Sequence, residues 1–212
     1  MKNKVKIYHA GSRNYSNWVP NREIVDTIEE ADVVWLEGGE DVHPSIYGEK
    51  VSEFVATNLH RDMREKAIFE KAVKLGKKIF GTCRGAQLSC ALSGGKVIQH
   101  QLNPGWMHDI KTYDKRTVAV TSTHHNAMNP YNLPKEDYKL IGWTESMLPF
   151  HLNGEGKESY KKNEKEVEIC YFRKTKALGC QPHPEMLTGK SQHAPTIDYF
   201  RGLFYDFVND KL

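Results

Sequence analysis

A cysteine, a histidine and a glutamate in this chain are placed to do nucleophilic chemistry together: Cys83, His183 and Glu185. Cys83 lies in Gly81-Thr82-Cys83-Arg84-Gly85, after the apolar pair Ile79-Phe80. It precedes Ala86 to Leu92, a helix-forming run closed by Gly94-Gly95. A strand that turns sharply into a helix needs glycine two residues before and after its apex, because bulk there would collide with the turn. The serine form of this turn is the nucleophile elbow. It lifts the apical side chain clear of the backbone at the carboxyl end of a strand. A thiol at a helix N-terminus also meets the positive end of the helix dipole, which favours thiolate. The backbone N–H of Arg84 would then point toward an oxyanion forming on a carbonyl attacked by Cys83. A buried structural cysteine is the plainer alternative, but it gives no reason for glycine on both flanks.

A thiol nucleophile needs a base, and the base needs something to hold it. His183 stands in Pro182-His183-Pro184-Glu185, where prolines on both sides stiffen the segment and keep it out of a regular helix. In an extended segment, residues i and i+2 project to one side. Glu185 could then accept from one ring nitrogen of His183 while the other faces Cys83. The chain has ten histidines, so a histidine in a proline-rich turn carries little weight alone. Joined to the elbow, it completes the expected triad Cys83, His183, Glu185.

The elements that must position these residues alternate. Lys4 to His9 predicts a strand, and Pro20-Asn21 opens a predicted helix with Ile24, Val25 and Ile28 on one face, ended by Glu29-Glu30. Ala31 to Leu36 is a short apolar run suited to a strand covered on both faces. Glu37-Gly38-Gly39 follows, where paired glycines let a backbone N–H approach a ligand. Arg61 to Leu75 predicts a helix with Ile68, Ala72 and Leu75 in register beside Met63 and Phe69, stopped by Gly76. This strand–helix alternation predicts a parallel sheet wound with helices on both faces. Further strands are predicted at Lys96–Gln99, Arg116–Ser122, Tyr138–Trp143, Val167–Arg173 and Ala177–Gln181. The charged run Glu155 to Glu166 predicts a solvated hairpin tip or loop, and Ile197, Phe200, Leu203, Phe204, Phe207 and Val208 predict a closing helix.

Composition excludes some classes. With 212 residues, 30 basic and 27 acidic, the formal net charge of +3 is too balanced to argue for nucleic acid. No apolar run follows Met1 and no stretch is long enough to span a bilayer, so the expected setting is cytoplasmic, without a membrane partner. Cys83, Cys90, Cys170 and Cys180 have no C-x-x-C spacing and are expected as reduced thiols. His108, His124, His125, His151 and His193 lack H-x-H or H-E-x-x-H spacing, so no metal and no cofactor is expected. There is no P-loop and no G-x-G-x-x-G, so the chain has no sequence signal for activating an acceptor with ATP.

Cys-Arg-Gly-x-Gln after a strand, paired downstream with His-Pro-Glu, resembles the class I glutamine amidotransferase superfamily, most closely its gamma-glutamyl-hydrolase-like branch. Four stretches carry the likeness. They are Gly38-Gly39-x-Asp41-x-x-Pro44 with Tyr47-Gly48-Glu49; Arg61-Asp62-x-x-Glu65 leading into Gly81 to Gln87; Ser122-Thr123-His124-His125; and Gly179 to Glu185. The resemblance implies one domain over residues 1–212 with an α/β, flavodoxin-like three-layer sandwich and a mostly parallel central sheet. It implies a Cys-His-Glu triad cleaving the side-chain amide of glutamine or a gamma-glutamyl compound. By the same likeness, backbone N–H groups of Gly39 and Arg84 form the oxyanion hole. Gly38, Gln87, Ser122, Thr123, His124 and His125 line the glutamyl pocket.

The chain departs from the pattern in places. That branch usually carries two strand–helix steps before the double glycine. Here about thirty residues precede Leu36, room for one strand and one helix, so the N-terminal part is expected to be shortened. His43 stands where an acid is usual, and Pro182 where an aromatic is usual. Three functions remain open: a stand-alone hydrolase, a glutaminase subunit feeding ammonia to a separate ATP-dependent synthetase, and a repurposed binding domain. A homo-oligomer is a further possibility. Tyr15, Trp18, Trp106 and Tyr131 fall in predicted loops and are candidates to shape the acceptor side.

Overall fold

The computed structural model describes residues 4–101, 105–144, 150–153, 156–159 and 164–212. The first half runs β1 (Val5–His9), β2 (Arg22–Ile24), β3 (Val33–Leu36), α1 (Leu59–Lys74), β4 (Lys78–Thr82), α2 (Arg84–Leu92) and β5 (Lys96–Ile98). The second half holds β6 (Met107–Thr112), β7 (Thr117–Thr121), β8 (Ala127–Asn129), β9 (Tyr138–Thr144), β10 (Phe150–Asn153), β11 (Gly156–Ser159), β12 (Glu166–Phe172), β13 (Ala177–Cys180) and α3 (Ala194–Val208). Among the described residues, eleven strands join one sheet in the order β2-β1-β3-β4-β13-β12-β9-β6-β7, with β8 added against β12 and β5 against β8.

This sheet is an α/β sheet of the flavodoxin-like kind, and it is mixed. β2, β1, β3, β4 and β13 pair in parallel. From β12 outward the pairings are antiparallel. The switch has a local cause: β12 returns into β13 through a tight turn in which Lys176 takes φ +51° and its N–H donates to the Arg173 carbonyl at 3.3 Å. So short a connection forces antiparallel pairing. α1 and α2 cover one face, where Phe69, Ala72, Ala86 and Leu88 meet Val34, Leu36 and Ile79. α3 covers the other, where Phe200, Phe204 and Phe207 meet Trp35 and Phe80.

The helix expected from Pro20 does not form. Asn21 takes φ +52°, and Arg22 to Ile24 pairs in parallel with Val5 to Ile7 as an edge strand. Ile24 and Val25 are β-branched and suit a strand, and the Val25 N–H extends the pairing to the Ile7 carbonyl at 3.0 Å. Among the described residues, the N-terminal part therefore keeps two strands, with a 3-10 turn at Arg13–Ser16 and no α-helix between them. Loop residues take over the covering role, with Trp18 and Val19 packed on the α3 face and Ile28 on the other. Trp18 sits at ring-centroid distances near 6 Å from Trp35, Phe80 and Phe204, so it belongs to the core and not to an acceptor pocket.

Three further expectations change. α1 is rotated from the expected face: Met63 and Leu75 are exposed, while Asp62, Glu65, Phe69 and Ala72 are buried. Glu166 is buried at the head of β12 and not part of a solvated tip. In the predicted hairpin region, β10 pairs with β11, while residues 154–155 and 160–163 lie outside the described residues. β6 and β8 had no clear sequence signal, being weakly alternating and only three residues long respectively. Among the described residues no helix is long and apolar enough to cross a membrane, and the four cysteines are free and buried.

The packing at the end of β4 leaves no room for side chains. A Cβ on Gly85 would lie 2.3 Å from the Leu36 carbonyl oxygen, and one on Gly81 would lie 2.3 Å from that of Gly85. Both obstacles are backbone and cannot swing away. Gly85→Ala is expected to cost about 3 kcal/mol through overpacking. Urea unfolding of the purified variant checks this, and an unchanged midpoint would reject the close approach.

Candidate active site

Cys83 is the hinge between β4 and α2. Its φ of +50° and ψ of −108° lie in a region that L-residues avoid, a strain that persists only where the surroundings over-determine it. The surroundings do so. The Cys83 N–H donates to the Cys180 carbonyl at 2.8 Å, and its own carbonyl accepts from Ala86 and Gln87 at 3.0 and 3.1 Å. Arg84 is the first residue of α2, and the first four N–H groups of a helix have no intrahelical acceptor.

The parallel register of β4 and β13 brings the second half of the site to the first. Gly179 lies opposite Gly81 and Cys180 opposite Thr82. The residues just past each strand are then neighbours, Cys83 on one side and Gln181-Pro182-His183 on the other. Cys83 lies close enough to His183 to act on its titration, and His183 Nδ1 meets Glu185 Oε1 at 2.5 Å. The three side chains predicted from the sequence are thus brought together. The backbone that does so is not extended: His183 caps a 3-10 turn over Pro184–Leu187. Its N–H is fixed by Thr121 Oγ1 at 2.7 Å. Burial by itself depresses the imidazole pKa, but the hydrogen bonds and charges of Cys83 and Glu185 outweigh it and raise the pKa to about 10.

Cys83 opens on a cavity of about 250 Å³ that also takes in Gly39, Asp41, Gln87 and the segment Thr123 to Asn126. A larger hollow of about 800 Å³, lined by residues such as Lys4, Asp32 and Tyr205, includes neither cysteine nor histidine. We take the smaller cavity as the site because the nucleophile faces it. Gln87 donates through Nε2 to the Asn126 carbonyl at 2.8 Å. His125 Nε2 lies 3.2 Å from Asp41 Oδ1, and this pairing raises its pKa. Thr123 and His124 line the same cavity. Ser122 does not line it; it is buried, with its N–H donated to the Trp106 carbonyl at 2.8 Å. Gly38 does not line it either; an added Cβ there would be 3.0 Å from both His183 Cε1 and the Tyr15 hydroxyl.

Tyr15, one of the loop aromatics expected near the acceptor side, sits beside His183 with ring centroids 6.1 Å apart. Other nearby residues were not singled out beforehand. Gln181 Nε2 lies 3.9 Å from Cys83 Sγ. Behind His124, the buried Glu168 meets His108 Nε2 at 3.1 Å and His124 Nε2 at 3.7 Å. Burial and the charge of Glu168 raise the neighbouring Glu166 to about 7. No local pattern marks these residues, because long-range strand pairing brings them in. Tyr131 is committed elsewhere, its hydroxyl donating to the Lys165 carbonyl at 2.7 Å, and Trp106 is exposed. Among the described residues, no group of three or more His, Cys, Asp or Glu side chains is placed to hold a metal ion, and the side chain of His151 lies outside them.

The elbow is mounted on a buried charge network. The Arg84 guanidinium, 1% exposed, pairs with Asp62 and Glu65, both fully buried. Glu65 also accepts from Arg61 Nε at 2.8 Å, and Arg61 Nη2 donates to the Gly38 carbonyl at 2.9 Å. Asp62 accepts the His43 N–H at 2.8 Å. This accounts for the rotated face of α1: its carboxylates turn inward because two guanidinium groups meet them.

The mixed α/β sheet with a cysteine at a strand–helix elbow defines a class I glutamine amidotransferase-like protein. The chain belongs to the Peptidase C26 family, whose pattern matches residues 15–132. That span contains Cys83 and ends before His183. Protein NtpR of Enterococcus hirae is 30% identical over 201 residues, covering 86% of this chain and 76% of that protein. The glutamine amidotransferase-like protein YvdE of Lactococcus lactis is 29% identical over 186 residues, covering 85% and 75%. In fold, the chain is similar to a glutamine amidotransferase from Thermotoga maritima, with a TM-score of 0.62 at 14% identity over 98% of this chain and 99% of that one.

The raised His183 pKa has a direct readout. NMR of the imidazole should show its titration midpoint near 10 in the wild type, and a lower midpoint in Glu185→Gln. Because the folded pKa lies above the unfolded value of 6.5, this group's contribution to stability is full below pH 6.5 and is lost as pH rises toward 10. A wild-type midpoint near 6.5 would refute the coupling.

Proposed function

We propose that this chain is a cysteine-dependent hydrolase that cleaves glutamine or a gamma-glutamyl amide through a glutamyl thioester on Cys83. Family membership supports the coarser statement, a hydrolase of C–N amide bonds. The observation that carries the finer reading is the convergence of Cys83 with the hydrogen-bonded pair His183–Glu185 past the level ends of β4 and β13, beside a cavity lined by Cys83, Gly39 and Gln87.

The proposed chemistry follows from these positions. The Cys83 thiolate attacks the delta-carbonyl, and the carbonyl oxygen becomes an oxyanion stabilised by the backbone N–H groups of Arg84 and Gly39. His183, held by Glu185, gives its proton to the departing nitrogen as the C–N bond breaks, leaving a thioester. The same imidazole then takes a proton from water, which attacks the thioester and releases glutamate and the free thiolate. Gln87, Thr123, His124 and His125 line the space for the glutamyl group, with Asp41 beside His125. A glutaminase subunit working with a synthetase would use the same steps. Basal turnover separates the two, since such a subunit is nearly silent until its partner docks.

Glutamate release from glutamine and a panel of gamma-glutamyl amines is the test. The wild type is expected to cleave at least one compound, and Cys83→Ala to lose about 10⁴-fold or more. Turnover that survives Cys83→Ala would overturn the proposal. Silence of the wild type across the panel, with Cys83 still alkylated by a glutamine-like chloroketone, would favour the partner-dependent glutaminase.

A further inference from the structure

We propose that Arg61 is a positioning residue that sets the direction of the Gly39 N–H by holding the carbonyl of the same peptide. The inference rests on the functional reading above, in which that N–H stabilises the oxyanion. In a trans peptide the C=O and the N–H point in opposite directions within one plane, and the described chain has no cis bond. Arg61 Nη2 takes the Gly38 oxygen at 2.9 Å. The Gly39 N–H is therefore directed away from the guanidinium. Gly39 itself lines the cavity together with Cys83.

Two details make this a lock and not an incidental contact. Turning the peptide over would exchange a charge-assisted hydrogen bond for an N–H dipole aimed at a cation. The guanidinium also fills the space beside the turn: a Cβ on Gly39, whose φ is +135°, would lie 2.3 Å from Arg61 Nη1. Arg61 in turn cannot drift. Its Nε is held by Glu65 at 2.8 Å, and Glu37 and Glu40 stand at 3.6 and 3.9 Å. Glu65 uses its other oxygen on Arg84, whose residue supplies the second proposed oxyanion donor. One buried carboxylate thus sets the spacing between the two halves of the oxyanion hole. An arginine is required because a single side chain must reach both Glu65 and the carbonyl. The fork of a guanidinium does this, and an ammonium does not.

The test compares two inactivation rates at Cys83 in the wild type, Arg61→Lys and Arg61→Met. A glutamine-like chloroketone reacts through a carbonyl whose oxygen enters the oxyanion hole, whereas iodoacetamide needs only the thiolate. The expected result is a chloroketone rate about tenfold or more lower in each variant that folds, with the iodoacetamide rate close to wild type. Where turnover is measurable, kcat should fall about 10- to 100-fold with KM within about threefold. Retention of the wild-type rate ratio by both variants would overturn the role of Arg61 and leave the functional reading intact. A wild type that shows no preference for the chloroketone would overturn both together. If Arg61→Met does not fold, Arg61→Lys decides the matter, and full activity there would refute the need for the fork.

Discussion

The site depends on a guanidinium–carboxylate network buried between α1 and the elbow. Arg84, Asp62 and Glu65 are almost wholly removed from water. Charges so placed are costly unless each finds its counterpart, and removing one partner of a buried pair costs ~3–5 kcal/mol. The network therefore acts less as a source of net stability than as a constraint on geometry. It ties the first two turns of α1 to the first turn of α2, and through Arg61 it reaches the double glycine after β3. Three segments far apart in the chain can satisfy these charges in one relative placement.

That constraint sustains the backbone at Cys83. A non-glycine residue at φ +50° is strained, and the turn closes only because Gly81 and Gly85 let backbone meet backbone. The parallel pairing of β4 with β13 then does for His183 what the elbow does for Cys83. Since the strands end level, the proposed nucleophile and base leave the sheet side by side. Glu185 follows through a 3-10 turn, with the prolines on either side of His183 limiting the conformations available to the loop.

The edge of the sheet shows how little of the expected architecture the site requires. β1 and β2 are joined without an α-helix, and aromatic and aliphatic residues of the connecting loop cover the sheet in its place. Trp18 alone touches Trp35, Phe80, Phe200 and Phe204. A helix is one way to bury the face of a parallel strand; a loop anchored by a large aromatic is another. Strand order and register near Cys83 are preserved by either.

Some of this was legible in the residues themselves. The glycines around Cys83 and the prolines around His183 act over two or three positions, so their effect on the backbone follows from local sterics and is written into the sequence. The pairing of His183 with Glu185 is equally local, and the strands and helices of long periodic runs, such as α3, follow from spacing alone. The alternation of apolar residues could not say that Ile24 and Val25 join a strand, because a three-residue edge strand is decided by the partner it pairs with. Nor could it show that Asp62, Glu65, Glu166 and Glu168 are buried. A carboxylate turns inward only when a guanidinium, an imidazole or an amide waits there, and those groups, Arg84, His108 and Gln101, come from distant segments. The sequence by itself determined the candidate nucleophile, its base and the turns that present them, since neighbouring residues dictate those. Only the tertiary structure decided which charges are buried, which loop replaces a helix, and which arginine holds the Gly38 peptide, because each depends on contacts between segments that no local pattern encodes.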